Sequence, residues 1–469
     1  MTWIIRGALL VLLSFANLNL IWSPDVLPNT LFAWTVVRSG NVDYDEFATT
    51  DVTDERPDHI DREAYFFRAC GASTATRPPR SVRSVGGPPA PGPGDHVCSV
   101  FPPGVAILAL PVLVPAVVLG VAPSDATALL LLGHLAASLL EAIAALLLWS
   151  IVRRFVGPRW SFGLVLLYVL ATSVRTVGSQ ALWQHAGVHL FVSLALWSVL
   201  REEAASPSRE LIAGVLLGAG TVVRQTTALV ALGIGGGRRL LRAIAGLGIG
   251  LIPLLLYDAV AFGMPFEQGY GSKPFDAPIL TGLYGLLLSP SRGLFVYAPY
   301  LVFAIAALGL AWRRPGHVAR RLRGLGVVAV ATLLLYATYA EWWGGRVFGA
   351  RFLDDLAPVL FAALAWGIGQ GLLSRRSVRG IFWVAAGWSL LLFNTAALVY
   401  DQAWDNGPPN VNFAPERIFD WSDPQWLAVL RALPSGGGRA LAGTVLSLVI
   451  LALLFRLEGV WPRRLSSAR

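Results

Sequence analysis

The sequence predicts an all-α polytopic membrane protein, a bundle of about eleven or twelve transmembrane helices. Hydrophobic residues are 55% and charged residues only 14% of the 469-residue chain, too little polar surface for a soluble protein of this length. Several apolar runs are long enough to cross a bilayer. The runs are continuous rather than alternating, which excludes a transmembrane β-barrel.

The helices are predicted from the apolar runs in chain order. The expected spans are 3–22, 126–152, 160–178, 182–200, 243–262, 293–312, 325–340, 354–373, 380–400 and 440–457. No small-residue cleavage site follows the first run, so we interpret it as a retained helix rather than a signal peptide. Two further runs are ambiguous, because prolines interrupt 104–121 and a polar segment splits 210–236.

Arginines set the predicted orientation. The net charge of +9 comes from arginines in short loops between apolar runs, as in cytoplasmic loops, and it does not indicate a nucleic-acid partner. If 104–121 only dips into the outer leaflet and 210–236 is a broken pair of half-spans, the basic loops fall inside. If each of the two runs crosses the membrane once, some of the basic loops fall on the outer side of the membrane. We favour the first topology.

This topology divides the chain into seven regions. They are a first helix (1–22), an extracytoplasmic loop (23–125), a transmembrane core (126–262), an outer loop (263–292), transmembrane helices (293–400) with an outer loop at 341–353, an outer loop (401–439), and a last helix with a cytoplasmic tail (440–469). The large loops, and with them the functional residues, are expected on the outer side of the cell membrane.

The first outer loop carries three predicted features. Residues 29–39 are expected to form a short interfacial helix, and 77–94, rich in Pro, Gly and Ser, a mobile linker. The two cysteines of the chain, Cys70 and Cys98, also lie in this loop. Outside the cytoplasm they could form a disulfide worth about 3 kcal/mol, and two free thiols are the alternative.

An acidic run follows the predicted interfacial helix. It holds nine acidic residues between positions 43 and 63, and three of them, Asp43, Asp45 and Glu46, lie within four residues. A carboxylate here could deprotonate a hydroxyl or amine, with a neighbour orienting it or holding a metal. A solvated acidic loop is the alternative interpretation.

Four arginines lie at outer boundaries or inside apolar runs, where positive charge is unexpected. They are Arg175, Arg224, Arg346 and Arg351. Binding of a lipid-linked phosphate or pyrophosphate would explain them, because guanidinium groups match phosphate oxygens. For Arg346 and Arg351, pairing with the nearby Asp354 or Asp355 is the competing explanation.

Aromatic and polar residues beside these arginines are candidates for substrate binding. They are Trp183, Gln184, His185, Trp342 and Trp343. An indole can stack on a sugar or border lipid. His185 and His189 have the i, i+4 spacing of metal ligands, but no acidic residue is close in sequence, which favours core histidines and predicts no metal ligands there.

Motifs for soluble nucleotide chemistry are absent from the sequence. It has no Walker-type phosphate loop, no GxGxxG opening a soluble domain, no CxxC pair and no GxSxG elbow. An activated donor is therefore expected to arrive through the membrane.

The order of short motifs resembles the GT-C superfamily of integral-membrane glycosyltransferases. A first helix is followed by an outer loop with Asp43-Tyr44-Asp45-Glu46-Phe47 and by a Pro102-Pro103-Gly104 entry. The chain is most similar to the protein O-mannosyltransferase and aminoarabinose-transferase branch, and to uncharacterised bacterial members of it. Further matches are Leu182-Trp183-Gln184-His185, the Arg224-Gln-Thr-Thr block, Ser289-Pro-Ser-Arg292-Gly-Leu-Phe, and Trp342-Trp343-Gly-Gly followed by Arg351.

The resemblance implies an inverting transfer from a polyprenyl-phosphate-linked sugar to a lipid, glycan or protein acceptor at the outer face of the membrane. Asp45 would be the catalytic base, with Glu46 assisting and Asp43 as the alternate. Arg175, Arg224, Arg346 and Arg351 would bind the donor phosphate. Some GT-C enzymes need a divalent metal such as Mg²⁺ or Mn²⁺, whereas the branch resembled here generally does not.

Two other functions stay open at this point. A flippase or transporter of lipid-linked sugars should show repeated halves and ionisable residues near the membrane midplane. The sequence shows no repeat, but Glu141 and Asp258 are charges inside apolar runs. A non-catalytic scaffold for envelope assembly would tolerate loss of the acidic triplet.

Overall fold

The structure, a computed structural model, describes residues 2–50, 56–71, 91–92, 94–200, 207–267, 269–270 and 274–459. Helices account for 68% of the described residues and strands for 3%, which confirms a mostly helical fold. The predicted linker at 77–94 falls almost entirely outside the described residues.

The helices follow the predicted apolar runs. They are α1 (Thr2–Phe15), α2 (Leu27–Trp34), α3 (Gly104–Val118), α4 (Ala126–Val152), α5 (Pro158–Leu170), α6 (His185–Leu200), α7 (Pro207–Val223), α8 (Ala228–Gly233), α9 (Arg238–Phe262), α10 (Ile279–Leu288), α11 (Leu294–Tyr297), α12 (Val302–Ala311), α13 (His317–Thr338), α14 (Arg351–Asp354), α15 (Ala357–Gly369), α16 (Arg376–Val399), α17 (Ala403–Asn406), α18 (Gln425–Ala432) and α19 (Gly437–Leu457). The strands are β1 (Ala48–Thr49), β2 (Ile60–Asp61), β3 (Phe67–Cys70) and β4 (His96–Ser99).

Four helical segments among the described residues are long and apolar enough to cross a membrane. They are Ala126–Val152, Arg238–Phe262, Arg376–Val399 and Gln425–Leu457. Other apolar helices, such as α3 and α15, are shorter. The chain therefore has the character of a membrane protein, and the larger number of spans stays a prediction.

The first helix is shorter than the predicted run 3–22. It ends at Phe15, and Leu18 adopts a left-handed backbone with φ of 56°. The side chain of Asn17 accepts a hydrogen bond from the Asn19 backbone N–H (2.9 Å) and donates to Gln180 Oε1 (2.9 Å). These side-chain bonds compete with helical ones and turn the chain.

The two ambiguous runs have different structures. α3 stays helical through Pro111 and Pro115, and its 15 residues extend about 22 Å at 1.5 Å per residue, less than the about 30 Å core of a bilayer. The run 210–236 is broken as predicted, because Arg224 is extended (φ −155°, ψ 126°) between α7 and α8. This break places the Arg224 side chain at the candidate site.

A helix forms at the predicted interfacial segment, and protein buries it on all sides. α2 begins at Leu27 and continues into a π-helical turn, Thr35–Ser39. All eight residues of α2 are buried, and the helix packs against α3. Among the apolar side chains of the predicted segment, Leu31, Phe32 and Trp34 are buried, whereas Val37 in the π-helical turn is exposed.

A β-hairpin in the first loop was not predicted. β3 and β4 pair antiparallel, and a disulfide joins Cys70 to Cys98, which confirms the disulfide alternative. The hairpin packs on the end of α9, where the Arg68 guanidinium lies 4.1 Å from the Phe262 ring centre and 3.3 Å from Glu267. The first loop is thus held on the helical bundle.

α7 and α9 pack with their backbones in contact. A Cβ added at Gly250 would lie 2.2 Å from the Val215 carbonyl oxygen, and one at Gly214 would lie 2.1 Å from the Ala243 carbonyl oxygen. Only glycine fits at these positions, as in close helix pairs of membrane proteins. Arg224 directly follows α7, so the helix that leads to it is held closely against α9.

Candidate functional site

A buried group of charged residues joins parts of the chain that are far apart in sequence. Arg224 Nε lies 3.2 Å from Asp355 Oδ2, and His185 Nδ1 lies 2.7 Å from Asp355 Oδ1. Arg351 and Asp25 extend the group, with Arg351 Nη1 3.0 Å from Asp25 Oδ2. These five residues are called the arginine cluster below.

Two guanidinium groups fix the protonation of His185. Arg224 Nη1 and Arg351 Nε each lie 3.1 Å from His185 Nε2. Arginine N–H groups can only donate, so Nε2 is the acceptor and the ring proton is on Nδ1, where it is donated to Asp355. His185 is therefore a neutral imidazole held between three charged side chains.

Aromatic side chains form one wall of the cluster. The Tyr336 hydroxyl accepts hydrogen bonds from Arg224 Nε (3.2 Å) and Nη2 (3.0 Å), and donates to Thr226 Oγ1 at 3.2 Å. The Tyr336 and Phe352 rings stack with centres 4.6 Å apart, and the Arg224 guanidinium lies 5.3 Å from the Phe352 ring centre. These contacts hold Arg224 in one orientation.

Arg351 connects the cluster to the first loop. Asp25 Oδ1 accepts a hydrogen bond from the Tyr65 hydroxyl, while Oδ2 pairs with Arg351. Burial, and then the negative charge of Asp25, raise the pKa of Tyr65 well above its ordinary value, so its hydroxyl remains a donor. Arg351 Nη1 also donates to the Gly344 carbonyl at 3.2 Å, and Gly344 has φ of 75°, a conformation that favours glycine.

Two buried donor groups beside the cluster have no hydrogen-bond partner among the described residues. They are Trp183 Nε1 and Gln184 Nε2, on side chains that are almost wholly buried. The Trp183 ring centre lies 5.5 Å from the Arg351 guanidinium, and Gln184 Oε1 accepts from the Tyr270 hydroxyl at 3.2 Å. An unsatisfied buried donor costs about 1–3 kcal/mol, which a ligand with acceptor oxygens would recover.

Tyr270 is the hydrogen-bond donor to Gln184 beside the arginine cluster. Burial raises its pKa to about 12, although the positive charge of Arg224 opposes the shift. The phenol therefore keeps its proton at neutral pH and continues to hold Gln184.

The acidic triplet of the first loop lies against the β-hairpin. Asp45 accepts from His96 Nδ1 (2.5 Å) and from the Val97 backbone N–H (2.7 Å), while Asp43 accepts from Asn41 Nδ2 (3.0 Å). The hydrogen bond and charge of Asp45 raise the pKa of His96, whereas burial and the charge of Asp45 raise that of Asp43. Both oxygens of Asp45 are thus bonded to β4.

Asp43, Asp45 and His96 are the described residues that could hold a metal. Their ligand atoms lie within 4.8 Å of one another, and the side chains are 19%, 37% and 64% exposed. Two carboxylates with one imidazole suit Mn²⁺ better than Mg²⁺, which prefers oxygen ligands alone. The residues therefore fit a divalent transition metal.

Glu46 is an exposed member of the triplet. Its carboxylate accepts from the Ser39 hydroxyl at 2.9 Å, and burial raises its pKa. None of the hydrogen bonds or ion pairs among the described residues joins Asp43, Asp45 or Glu46 to the arginine cluster. The structure brings the predicted base and the predicted phosphate ligands into two separate groups.

The other two predicted phosphate ligands also lie apart. Arg175 is buried, and its Nη1 donates to the carbonyls of Leu13 (2.7 Å) and Ser14 (3.0 Å) at the end of α1. Arg346 Nη1 donates to Asn406 Oδ1 at 2.7 Å. Their roles in phosphate binding stay predictions. The competing explanation is wrong for Arg351, which pairs with Asp25 and not with either neighbouring aspartate.

The tryptophans of the Trp-Trp-Gly-Gly loop pack the loop in place. Trp342 is buried against the Phe419 ring, with centres 5.5 Å apart, and Trp343 Nε1 donates to Asn412 Oδ1 at 3.3 Å. The loop reaches the arginine cluster through the Gly344 carbonyl. Binding of a sugar by either indole stays a prediction.

His185 and His189 are buried, as expected of core histidines, and each has an acidic partner that is distant in sequence. Asp355 bonds His185, and Glu141 Oε1 lies 2.6 Å from His189 Nδ1. His189 Nε2 faces the Asp354 carbonyl at 2.8 Å. The partners come from α4 and from the residues between α14 and α15, so sequence proximity does not reveal them.

Asp25 and Tyr65 are the principal members of the site that the sequence did not indicate. Asp25 is the first acidic residue of the chain and follows the first helix closely. That position was a usable signal, because the residue must lie near the membrane boundary. The acidic run further along the loop is a denser signal of the same kind.

Comparison of the chain with protein-family models, curated proteins and solved structures gave no match. The chemistry of the site is inferred from its own residues. Two guanidinium groups and two unsatisfied N–H donors favour an anionic ligand rich in oxygen.

Proposed function

We propose that this protein is a GT-C-type glycosyltransferase that moves a sugar from a polyprenyl-phosphate donor to an acceptor at the outer face of the cytoplasmic membrane. The observation that carries the proposal is the convergence of Arg224 and Arg351 on the neutral His185. Buried N–H donors of Trp183 and Gln184 lie beside them. Such a group suits a phosphate next to hydroxyl groups.

The charges of the cluster support a role in leaving-group stabilisation. Two guanidinium groups face two carboxylates, Asp355 and Asp25, so the charges within the cluster balance. When the sugar leaves, the donor phosphodiester becomes a monoester and gains negative charge. Fixed guanidinium groups stabilise this charge without reorganisation, and their aromatic and carboxylate contacts hold them in place.

The acceptor hydroxyl or amine must lose a proton, and a first-loop carboxylate is the proposed base. The sequence predicts Asp45 in this role, with Glu46 and Asp43 beside it. If a divalent metal takes part, Asp43, Asp45 and His96 would hold it, and it would supply positive charge beside the acidic triplet.

Transport of a lipid-linked sugar is a second candidate. The observation that favours it is the Glu141–His189 pair, which lies wholly buried between α4 and α6. Buried ionisable pairs inside helical membrane proteins mark proton and ion pathways in transporters. A transporter would move the intact donor, whereas a transferase would release free polyprenyl phosphate.

The two functions are separated by one experiment on purified protein in lipid vesicles. Labelled polyprenyl-phosphate mannose, glucose and aminoarabinose are supplied with an envelope extract as the acceptor source, with and without EDTA. We expect one donor to lose its label to a new product and to release polyprenyl phosphate. Passage of the intact donor across the bilayer would favour transport, and no release from any donor would refute the transferase.

The chelator arm tests the metal. Loss of transfer in EDTA that Mn²⁺ restores would support metal binding by Asp43, Asp45 and His96. Full activity in EDTA would show that the carboxylates and guanidinium groups act without a metal.

A further inference from the structure

We infer that Asp25 is the carboxylate that accepts the proton of the acceptor, and that Asp45 is not. This inference rests on the proposed function and assigns its base to another residue of the same loop. It follows from where the two carboxylates lie relative to the guanidinium groups that would hold the donor phosphate.

Asp25 is held on a rigid element at the edge of the site. It lies in a 3₁₀ turn, Pro24–Val26, which leads directly into the buried helix α2. Its side chain is 19% exposed, so a ligand can reach it. A carboxylate on such an element keeps a fixed position relative to its neighbours, which a general base requires.

The contacts of Asp25 place it one side chain away from the predicted phosphate site. Arg351 bonds Asp25 through Nη1 at 3.0 Å and His185 through Nε at 3.1 Å. Arg224 Nη1 bonds the same His185 nitrogen. Asp25 is therefore connected to both guanidinium groups, while Tyr65 orients its second oxygen.

Asp45 is bonded elsewhere. Both of its oxygens are bonded, as are those of Asp25, but their partners are His96 and the Val97 backbone of β4 and not a guanidinium group. No described hydrogen bond or ion pair joins it to the arginine cluster. Its contacts position the hairpin and suit a structural or metal-binding role.

The reaction balances with Asp25 as the base. The acceptor oxygen or nitrogen forms a bond to the anomeric carbon of the sugar, and the bond from that carbon to the phosphate oxygen breaks. The electron pair of the broken bond stays on the phosphate, beside Arg224 and Arg351. The proton passes from the acceptor to an Asp25 oxygen and is later lost to water.

The donor itself would prepare this base. The Arg351 guanidinium, 3.0 Å from Asp25 Oδ2, stabilises the ionised form of Asp25. A phosphate that competes for the same guanidinium weakens this stabilisation, and a carboxylate with a weaker cationic contact accepts a proton more readily.

The test compares three substitutions in the full-length protein in vesicles: Asp25→Asn, Asp45→Asn and, as a control, Asp61→Asn, an exposed carboxylate of the same loop. The measurements are kcat at saturating donor and the Kd of polyprenyl monophosphate. General-base removal predicts a kcat loss of about 10²–10⁴-fold for Asp25→Asn. Its Kd should stay within about threefold of wild type or fall, because asparagine keeps the shape and the Tyr65 contact but no longer competes with phosphate for Arg351.

The outcomes separate the inference from the proposed function. A smaller loss in Asp45→Asn than in Asp25→Asn supports the inference. An equal or larger loss in Asp45→Asn overturns it, as does an Asp25→Asn variant that changes only the Kd. If Asp25→Asn does not fold, Asp25→Glu replaces it, and a shifted carboxylate should retain folding with reduced kcat. Wild-type protein without transfer refutes the proposed function itself.

Discussion

The substitution Asp355→Asn tests whether the arginine cluster is an ion-paired unit. Asp355 is the carboxylate next to Arg224, at 3.2 Å, and the Arg224 side chain is only 10% exposed. Asparagine keeps the size of the side chain and an oxygen that can accept from His185 Nδ1. The substitution removes the negative charge and places an amide N–H group where Oδ2 faces Arg224 Nε.

The expected cost follows from the burial of Arg224. Removing one partner of a buried ion pair typically costs about 3–5 kcal/mol, because the remaining charge is uncompensated. We expect Asp355→Asn to lower the free energy of unfolding by about 3 kcal/mol, the lower end of this range, because the amide retains the hydrogen bond to His185. The double variant Arg224→Met with Asp355→Asn removes both charges and should recover about 2 kcal/mol, because replacement of a whole pair is less costly than its disruption.

The assay is the free energy of unfolding of each variant, measured by denaturant titration in lipid–detergent mixtures and followed by tryptophan fluorescence. Asp61→Asn serves as the exposed control, without measurable change expected. The reasoning fails if Asp355→Asn unfolds like the wild type, or if the double variant is no more stable than the single one.

Two further predictions concern the helix contact and the hairpin. Gly250→Val should lower the free energy of unfolding by about 1–3 kcal/mol, because its side chain would overlap the Val215 carbonyl. Gly248→Ala, with open space around it, should not lower the free energy of unfolding. Equal effects of the two substitutions in the same titration would contradict the close packing of α7 and α9. The pKa of His96 is raised because the protonated imidazole pairs with Asp45. This pairing stabilises the hairpin fully below about pH 6.5, and the stabilisation is lost as the pH rises through the folded-state pKa. Histidine NMR in EDTA should show a pKa above the ordinary value that returns to it in Asp45→Asn, and an unchanged pKa in that variant would exclude the pair.

Hydrophobic runs predicted the helices well, because burial of apolar side chains in helices is a local property of the sequence. The run 126–152 coincides with α4, and the break at Arg224 was expected from a polar segment inside an apolar run. The ends of the helices were less predictable than their positions. The first helix ends at Phe15 because Asn17 bonds to residues that are distant in sequence.

The candidate site was predicted in part. Arg224, Arg351 and His185 were named from their positions, and the structure brings them together. Their partner Asp355 is 170 residues from His185, a pairing that composition and spacing cannot indicate. Asp25 was missed because a single acidic residue carries a weaker sequence signal than the run that follows it.

Binding of polyprenyl monophosphate, compared with the uncharged polyprenol, tests the central claim most directly, because it needs neither the sugar nor the acceptor. Wild-type protein should bind the phosphate at least about tenfold more tightly than the alcohol, which corresponds to a difference in binding free energy of about 1.4 kcal/mol. Arg351→Gln should abolish this preference, while Arg431→Gln, at an exposed position of α18, should keep it. Equal binding of the two lipids by wild type, or an unchanged preference in Arg351→Gln, would contradict a phosphate site at the arginine cluster.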